Sequence, residues 1–188
     1  MDKKEAEELK NRLFNKKENG WNSKTAEQKQ QIFDFAKGYI DYMNKSKTER
    51  EIINTSIEIA HQNGFKDIKD CESLKPGDKI YWNNRGKSMY LAVIGEKNIE
   101  EGINIIGAHA DSPRLDLKPN PLYEDSEFAY LKTHYYGGIK KYQWTTIPLA
   151  IHGVIVKTNG EKITVNIGED MNDPIFTITD LLPHLAQD

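Results

Sequence analysis

Cysteine is nearly missing from this sequence: Cys71 is the only one in 188 residues. A single thiol excludes an intramolecular disulfide and any thiolate-rich zinc cluster within one chain, and it fits a reducing compartment. An excess of charge of one sign is missing too. The 26 basic and 29 acidic side chains are mixed along the sequence, for a formal net charge of −3. With no strong basic field to attract phosphate backbones or anionic lipid, neither nucleic acid nor membrane is expected as a partner. Long apolar runs are also absent. None approaches the roughly 20 residues that span a bilayer, and MDKKEAEELKNRLFNKK at the N-terminus has no apolar signal segment, so a cytoplasmic protein is expected. Apolar side chains are still sufficient for folding. At 37% hydrophobic and 29% charged, the composition is polar but far from that of a disordered chain. The length suits one full-sized domain, or one domain and part of another, with a genuine core.

The first third reads as helical. Residues 3–14 suit a short charged helix with a weak packing stripe, followed by a loop in NKKENGWNSKT. From Thr25 onward, Ile32, Phe35, Ala36, Tyr39, Ile40 and Met43 recur at three- and four-residue spacing, and Thr25 with Gln28 can form a capping box. Thr48 and Glu51 offer a second box. Ile52, Ile53, Ile57, Ile59 and Ala60 follow it, and Asn63-Gly64 suits a left-handed C-terminal cap.

The period then shortens to that of strands. KIYWNN (79–84) and SMYLAVIG (88–95), joined by RGK, predict a β-hairpin entered through the turn Pro76-Gly77-Asp78. INIIGAHA (103–110) is apolar on both faces, which predicts a third, central strand covered on both sides by helices. Beyond Pro119 the segments FAYLKTHYYGG, IPLAIHGVIVK and KITVNIG are β-rich, with Thr158-Asn159-Gly160-Glu161 as a tight hairpin between the last two. The expected class is therefore α/β, with a domain boundary near Lys118–Leu122. No internal repeat or low-complexity tract is evident, and DLLPHLAQD reads as an interrupted end.

The densest chemistry lies in GAHADSPRLDLKP (107–119). His109 and Asp111 are two positions apart, so in an extended segment both project to one side, just past the end of the central strand, where ligands of open α/β sheets collect. A histidine there can bind a metal through one ring nitrogen if a partner on the other fixes its tautomer, and Asp111 can be that partner. A solvent-exposed histidine beside an unrelated aspartate has the same spacing. Arg114, Asp116 and Lys118 alternate, as on a solvated strand face.

The longer stretch IIGAHADSPRLDLKPNPLY resembles the first metal-binding segment of the aspartyl aminopeptidase and vacuolar aminopeptidase I family of co-catalytic zinc metallopeptidases. The leading helices, KIYWNNRGKSMYLAVIG and YYGGIKKYQW have counterparts in the same order, so the resemblance covers nearly the whole chain. It implies the front part of an α/β/α zinc-peptidase catalytic domain over residues 1–119, then the start of a β-rich oligomerisation insert over 120–188. It also implies His109 as a ligand of one of two divalent ions, zinc or alternatively manganese or cobalt, and Asp111 as the catalytic-site carboxylate that orients it. Hydrolysis of the N-terminal residue from peptides follows as the expected activity of the full-length enzyme, a dimer-based dodecamer. Most ligands would lie beyond residue 188, leaving the chain alone inactive.

One departure concerns the insert. Family members read His-x-Trp after Tyr-Gly-Gly, and here Tyr142 stands at the histidine position, with Lys140 and Lys141 beside it. These three are the candidate substrate-binding residues, against an equal reading as aromatic packing and solvated lysines. His134, His152 and His184 fall in insert-like sequence, and the last two read as packing or surface residues. Glu100-Glu101 reads as an exposed turn, and Cys71 has no expected role. The competing function is a non-catalytic assembly module on a degenerate peptidase fold.

Overall fold

The computed structural model describes residues 2–15, 17–180 and 182–185, and the chain divides into two compact units, Met1–Asn44 and Lys45–Asp188. In the first, α1 (Lys3–Leu13) starts where the Glu5 carboxylate accepts the Asp2 N–H at 3.0 Å, and none of its residues is buried. The helix α2 (Ala26–Lys45) begins with the predicted reciprocal box: Gln28 N–H donates to Thr25 Oγ1 at 3.2 Å and Thr25 N–H to Gln28 Oε1 at 3.1 Å. Its apolar stripe forms but is left uncovered, with Phe35 82% exposed. Trp21 folds from the preceding loop edge-on against Phe33, and Lys29 lies over the indole.

In the second unit, α3 (Glu49–Gln62) carries the other predicted box, in which Glu51 Oε2 accepts the Thr48 N–H at 2.9 Å and Thr48 Oγ1 accepts the Glu51 N–H. It ends as expected at Asn63, followed by Gly64 at φ 81°, a left-handed conformation that glycine adopts without a Cβ clash. Three strands follow in the order β1-β2-β3. The short β1 (Lys66–Asp67) pairs parallel with β2 (Lys79–Asn84), and β2 pairs antiparallel with β3 (Ser88–Val93) through the predicted Arg85-Gly86-Lys87 turn. The buried apolar residues among those described are Ile53 and Ala60 of α3 with Ile80 and Tyr81 of β2. The Tyr81 hydroxyl is satisfied at 2.9 Å by His61 Nε2. This core is smaller than the chain length led one to expect.

Two further hairpins complete the unit. The strands β4 (Arg114–Asp125) and β5 (Phe128–Tyr136) meet at a two-residue turn, Ser126-Glu127, with both φ values positive, the twist that suits a tight hairpin. The strands β6 (Ile151–Val156) and β7 (Lys162–Ile167) are joined through the predicted Asn-Gly turn, closed by Lys157 N–H to Glu161 O at 2.8 Å with Gly160 at φ 84°. The position expected for a domain boundary, Lys118–Leu122, falls where the β4–β5 ladder changes register.

The α/β class holds, but the central strand does not. Residues 103–110 have no ladder partner among the described residues, and Ile105 and Ile106 are 79% and 99% exposed. The physical reason is that a strand exists only by pairing. Among the described residues neither a neighbouring strand nor a covering helix meets this run, and residues 103–109 are exposed.

Candidate metal centre

The irregular run ends where Arg114 opens β4, and His109 to Pro113 form the loop between them. The His109 imidazole is 82% exposed. Its Nδ1 lies 2.7 Å from the main-chain oxygen of Asp111 and 3.4 Å from the Asp111 carboxylate. A carbonyl only accepts, so that contact requires a proton on Nδ1 and in the neutral ring leaves the lone pair on Nε2, the tautomer that a metal needs. Asp111 therefore meets the ring chiefly through its backbone.

The Asp111 side chain has its own anchor. Tyr136, the last residue of β5, donates its hydroxyl to Asp111 Oδ2 at 2.9 Å. That bond, first, and then a backbone N–H bond and the charges of His109 and Arg114 hold the Asp111 carboxyl below its usual range, against desolvation. The same contact pushes the Tyr136 phenol up. The Arg114 guanidinium lies over the Tyr136 ring at 4.1 Å and binds Asp116 at 2.7 Å and Glu49 at 3.1 Å. Arg114 and Asp116, expected to face solvent, are instead half-buried members of a charge network.

Glu49 and Glu51, both in the first turn of α3, tie the unit together. Carboxylates are favoured at a helix N-terminus by the backbone dipoles, and here they also reach outward. Glu49 takes Lys87 from the β2–β3 turn at 3.6 Å as well as Arg114. Glu51, while capping the helix, binds His152 Nδ1 of β6 at 2.8 Å, and Glu169 binds His152 Nε2 at 2.9 Å. His152 was expected to be a packing or surface residue; its side chain is only 10% exposed and is engaged at both nitrogens. Both bonds form together when the ring is an imidazolium donating to two carboxylates.

Burial raises the Glu51 pKa, but the hydrogen bond and charge of His152 and the bonds from Thr48 outweigh it and leave the carboxyl below 4.5. A folded-state value below the unfolded one adds stability above pH 4.5 that is lost as pH falls through the folded value. Urea midpoints followed downward from pH 5 are expected to drop across that window, and His152→Gln to flatten the drop. An equal slope in both proteins would separate Glu51 from His152.

The other candidates lie elsewhere. Lys141 and Tyr142 sit in a 3-10 turn, with Lys140 just before it, Lys141 over the Tyr135 ring and Tyr142 71% exposed. Among the described residues, none of the three has a hydrogen bond or ion pair to His109 or Asp111. His134 stacks on Tyr135, and His184 is exposed. Glu100-Glu101 is the exposed turn expected of it, and Cys71 is a half-buried free thiol. A cleft of about 960 Å³ is lined by residues including Arg50, Glu51, Trp82 and Lys162 but not by His109. Among the described residues no group of three or more His, Cys, Asp or Glu side chains could hold a metal ion. One correctly protonated imidazole fits a zinc site as a single ligand, and a tight site uses three or four.

Comparison with known proteins bears on this geometry. The family model described as aminopeptidase I zinc metalloprotease (M18) matches residues 42–188. A probable M18 family aminopeptidase 1 from Borrelia garinii subsp. bavariensis is 51% identical over 170 residues, covering 90% of this chain and 37% of that protein. A probable M18 family aminopeptidase 1 from Clostridium acetobutylicum is 48% identical over 182 residues, covering 95% and 39%. The crystal structure of aminopeptidase I from Borrelia burgdorferi B31 superposes with a TM-score of 0.84 at 46% identity, covering 88% of this chain and 41% of that one. The M18 aminopeptidase from Thermotoga maritima gives a TM-score of 0.84 at 43% identity, covering 93% and 38%. The chain thus spans about two fifths of the length of these relatives.

Proposed function

Since the chain belongs to the M18 aminopeptidase I zinc metalloprotease family, we propose that it forms the N-terminal portion of a binuclear metal-dependent aminopeptidase, and that His109 is one of its metal ligands. The observation that carries this reading is the Nδ1 contact of His109 with Asp111, which leaves Nε2 free and the ring exposed within the family-matched segment. Two bound divalent ions, zinc or else manganese or cobalt, supply polarisation of the scissile carbonyl and acidification of an attacking water. What this chain contributes is the orientation of one imidazole through Asp111 and the docking of its loop through Tyr136 and Arg114. The remaining ligands come from the part of the family's length that this chain does not span, and the chain alone is expected to be inactive. The bare apolar run Ile103–Ile106 fits a strand completed by that same part.

Self-association belongs to the proposal as well. Leu122, Phe128 and Tyr135 leave much of the β4–β5 hairpin surface apolar and exposed. A distant relation in fold, at 22% identity, is the S. cerevesiae mApe1 dodecamer. A cytoplasmic location fits the single cysteine.

The test is to extend the chain to the length of its relatives, count bound zinc, manganese and cobalt by elemental analysis, and assay release of N-terminal residues from Asp-, Glu- and Leu-linked chromogenic substrates. About two metals per chain and hydrolysis of at least one substrate are expected. A metal-free protein silent on all three would favour an assembly module.

A further inference from the structure

Tyr136 was not among the residues that the sequence pointed to, yet it is the anchor closest to the His109 loop. Its hydroxyl holds Asp111 Oδ2 at 2.9 Å, while Asp111 O holds His109 Nδ1 at 2.7 Å, so one residue receives the phenol on its side chain and serves the imidazole with its backbone. The phenol is itself braced. The Arg114 guanidinium lies 4.1 Å from its ring centre and is pinned by Asp116 and Glu49. The next residue closes the loop from the other side: Gly137 has φ 72°, and a Cβ there would stand 3.5 Å from Pro113 Cα. At the strand end, therefore, Tyr136 holds Asp111 by a hydrogen bond and Gly137 lies close to Pro113, in the loop that carries His109.

We propose that Tyr136 is a positioning residue, which through its hydroxyl bond to the Asp111 carboxylate keeps the Asp111 carbonyl on His109 Nδ1 and so holds the ring with Nε2 free. This rests on reading His109 as a ligand only for its purpose; the geometry and its test need no metal. Without the hydroxyl, Asp111 can rotate toward water and its backbone is released with it. The exposed imidazole then samples both tautomers, as a free one does. The Phe ring of Tyr136→Phe keeps the surface under Arg114, so this variant removes the hydrogen bond alone.

The experiment is long-range 1H–15N correlation of the histidine rings in the 188-residue chain, at a pH where they are neutral, with His109 assigned by its loss in His109→Gln. Wild type is expected to show the Nδ1-protonated form, and Tyr136→Phe a shift toward the Nε2-protonated form with an unchanged amide spectrum elsewhere. Asp111→Ala should produce the same shift, and Tyr136→Phe added to it should do nothing more. Should Tyr136→Phe not fold, Asp111→Ala read against wild type decides the matter. A folded variant whose His109 tautomer stays as in wild type overturns the proposal. In the extended chain, Tyr136→Phe is expected to weaken zinc binding about 10–100-fold. An extended chain without hydrolysis but with the tautomer shift would defeat the peptidase reading and leave the positioning role standing.

Discussion

His109→Ala, made in a chain extended to the length of its relatives, is expected to remove at least one bound metal and to lower hydrolysis by more than the roughly 10–100-fold that loss of an outer partner of a metal ligand costs. The fold should not change, because the His109 side chain is 82% exposed and supports nothing else. Asp111→Ala is the instructive comparison. That substitution leaves the imidazole in place and removes only the carboxylate by which Tyr136 holds the Asp111 carbonyl on Nδ1, so its effect should stay within the outer-partner range. Elemental analysis and kcat/KM on the same preparations check both. A His109→Ala enzyme with full metal content and unchanged turnover would remove the ring from the centre.

Ile53→Ala is expected to destabilise the chain by about 2–5 kcal/mol, the usual cost of emptying a buried isoleucine site. Ile53 is 2% exposed and shares the small core with Ala60, Ile80 and Tyr81, so few neighbours can move in to fill the space. Domains with total stabilities of about 5–15 kcal/mol cannot lose that much without a visible unfolded fraction. Ile106→Ala is the matched control, since that residue is 99% exposed, and a surface change of this kind falls within about 0.5 kcal/mol. Urea unfolding of both variants gives the comparison. Equal losses would mean that the run 103–110 is buried in solution, against the structure.

Much of this was legible in the sequence, because it depends on local physics. The boxes at Thr25 with Gln28 and Thr48 with Glu51 need only residues three apart on one backbone turn, and both formed. The hairpin turns at Arg85-Gly86 and Asn159-Gly160 likewise depend on which residues tolerate a left-handed backbone. INIIGAHA shows where local reading stops: its two apolar faces describe what the segment would do with neighbours, and no ladder partner is among the described residues. The Thr48 box also carried less information than it held, since nothing in its spacing says that Glu51 will meet a histidine about a hundred residues away.

The register of β4 against β5 marks the same limit at the candidate site. Counting back from the Ser126-Glu127 turn, Asp125 faces Phe128 and Leu122 faces Leu131, but beyond the irregularity Leu117 faces Thr133 and Arg114 faces Tyr136. The interruption falls on Lys118-Pro119-Asn120-Pro121, where two prolines have no N–H for the ladder and Asn120 turns to φ 54°.

By itself, then, the sequence determined the two capping boxes, the turns at Arg85-Gly86 and Asn159-Gly160, the α/β class and the closeness of Asp111 to His109, because each is a matter of a few adjacent residues; that the ring meets the Asp111 backbone oxygen more closely than the carboxylate was not legible. Only the tertiary structure decided that Tyr136 and Arg114 stand behind Asp111, that the first turn of α3 gathers the three hairpins, and that an apolar run finds no ladder partner among the described residues. Those outcomes depend on ladder register and on charges far apart in the chain, which meet only after the backbone has been folded around them.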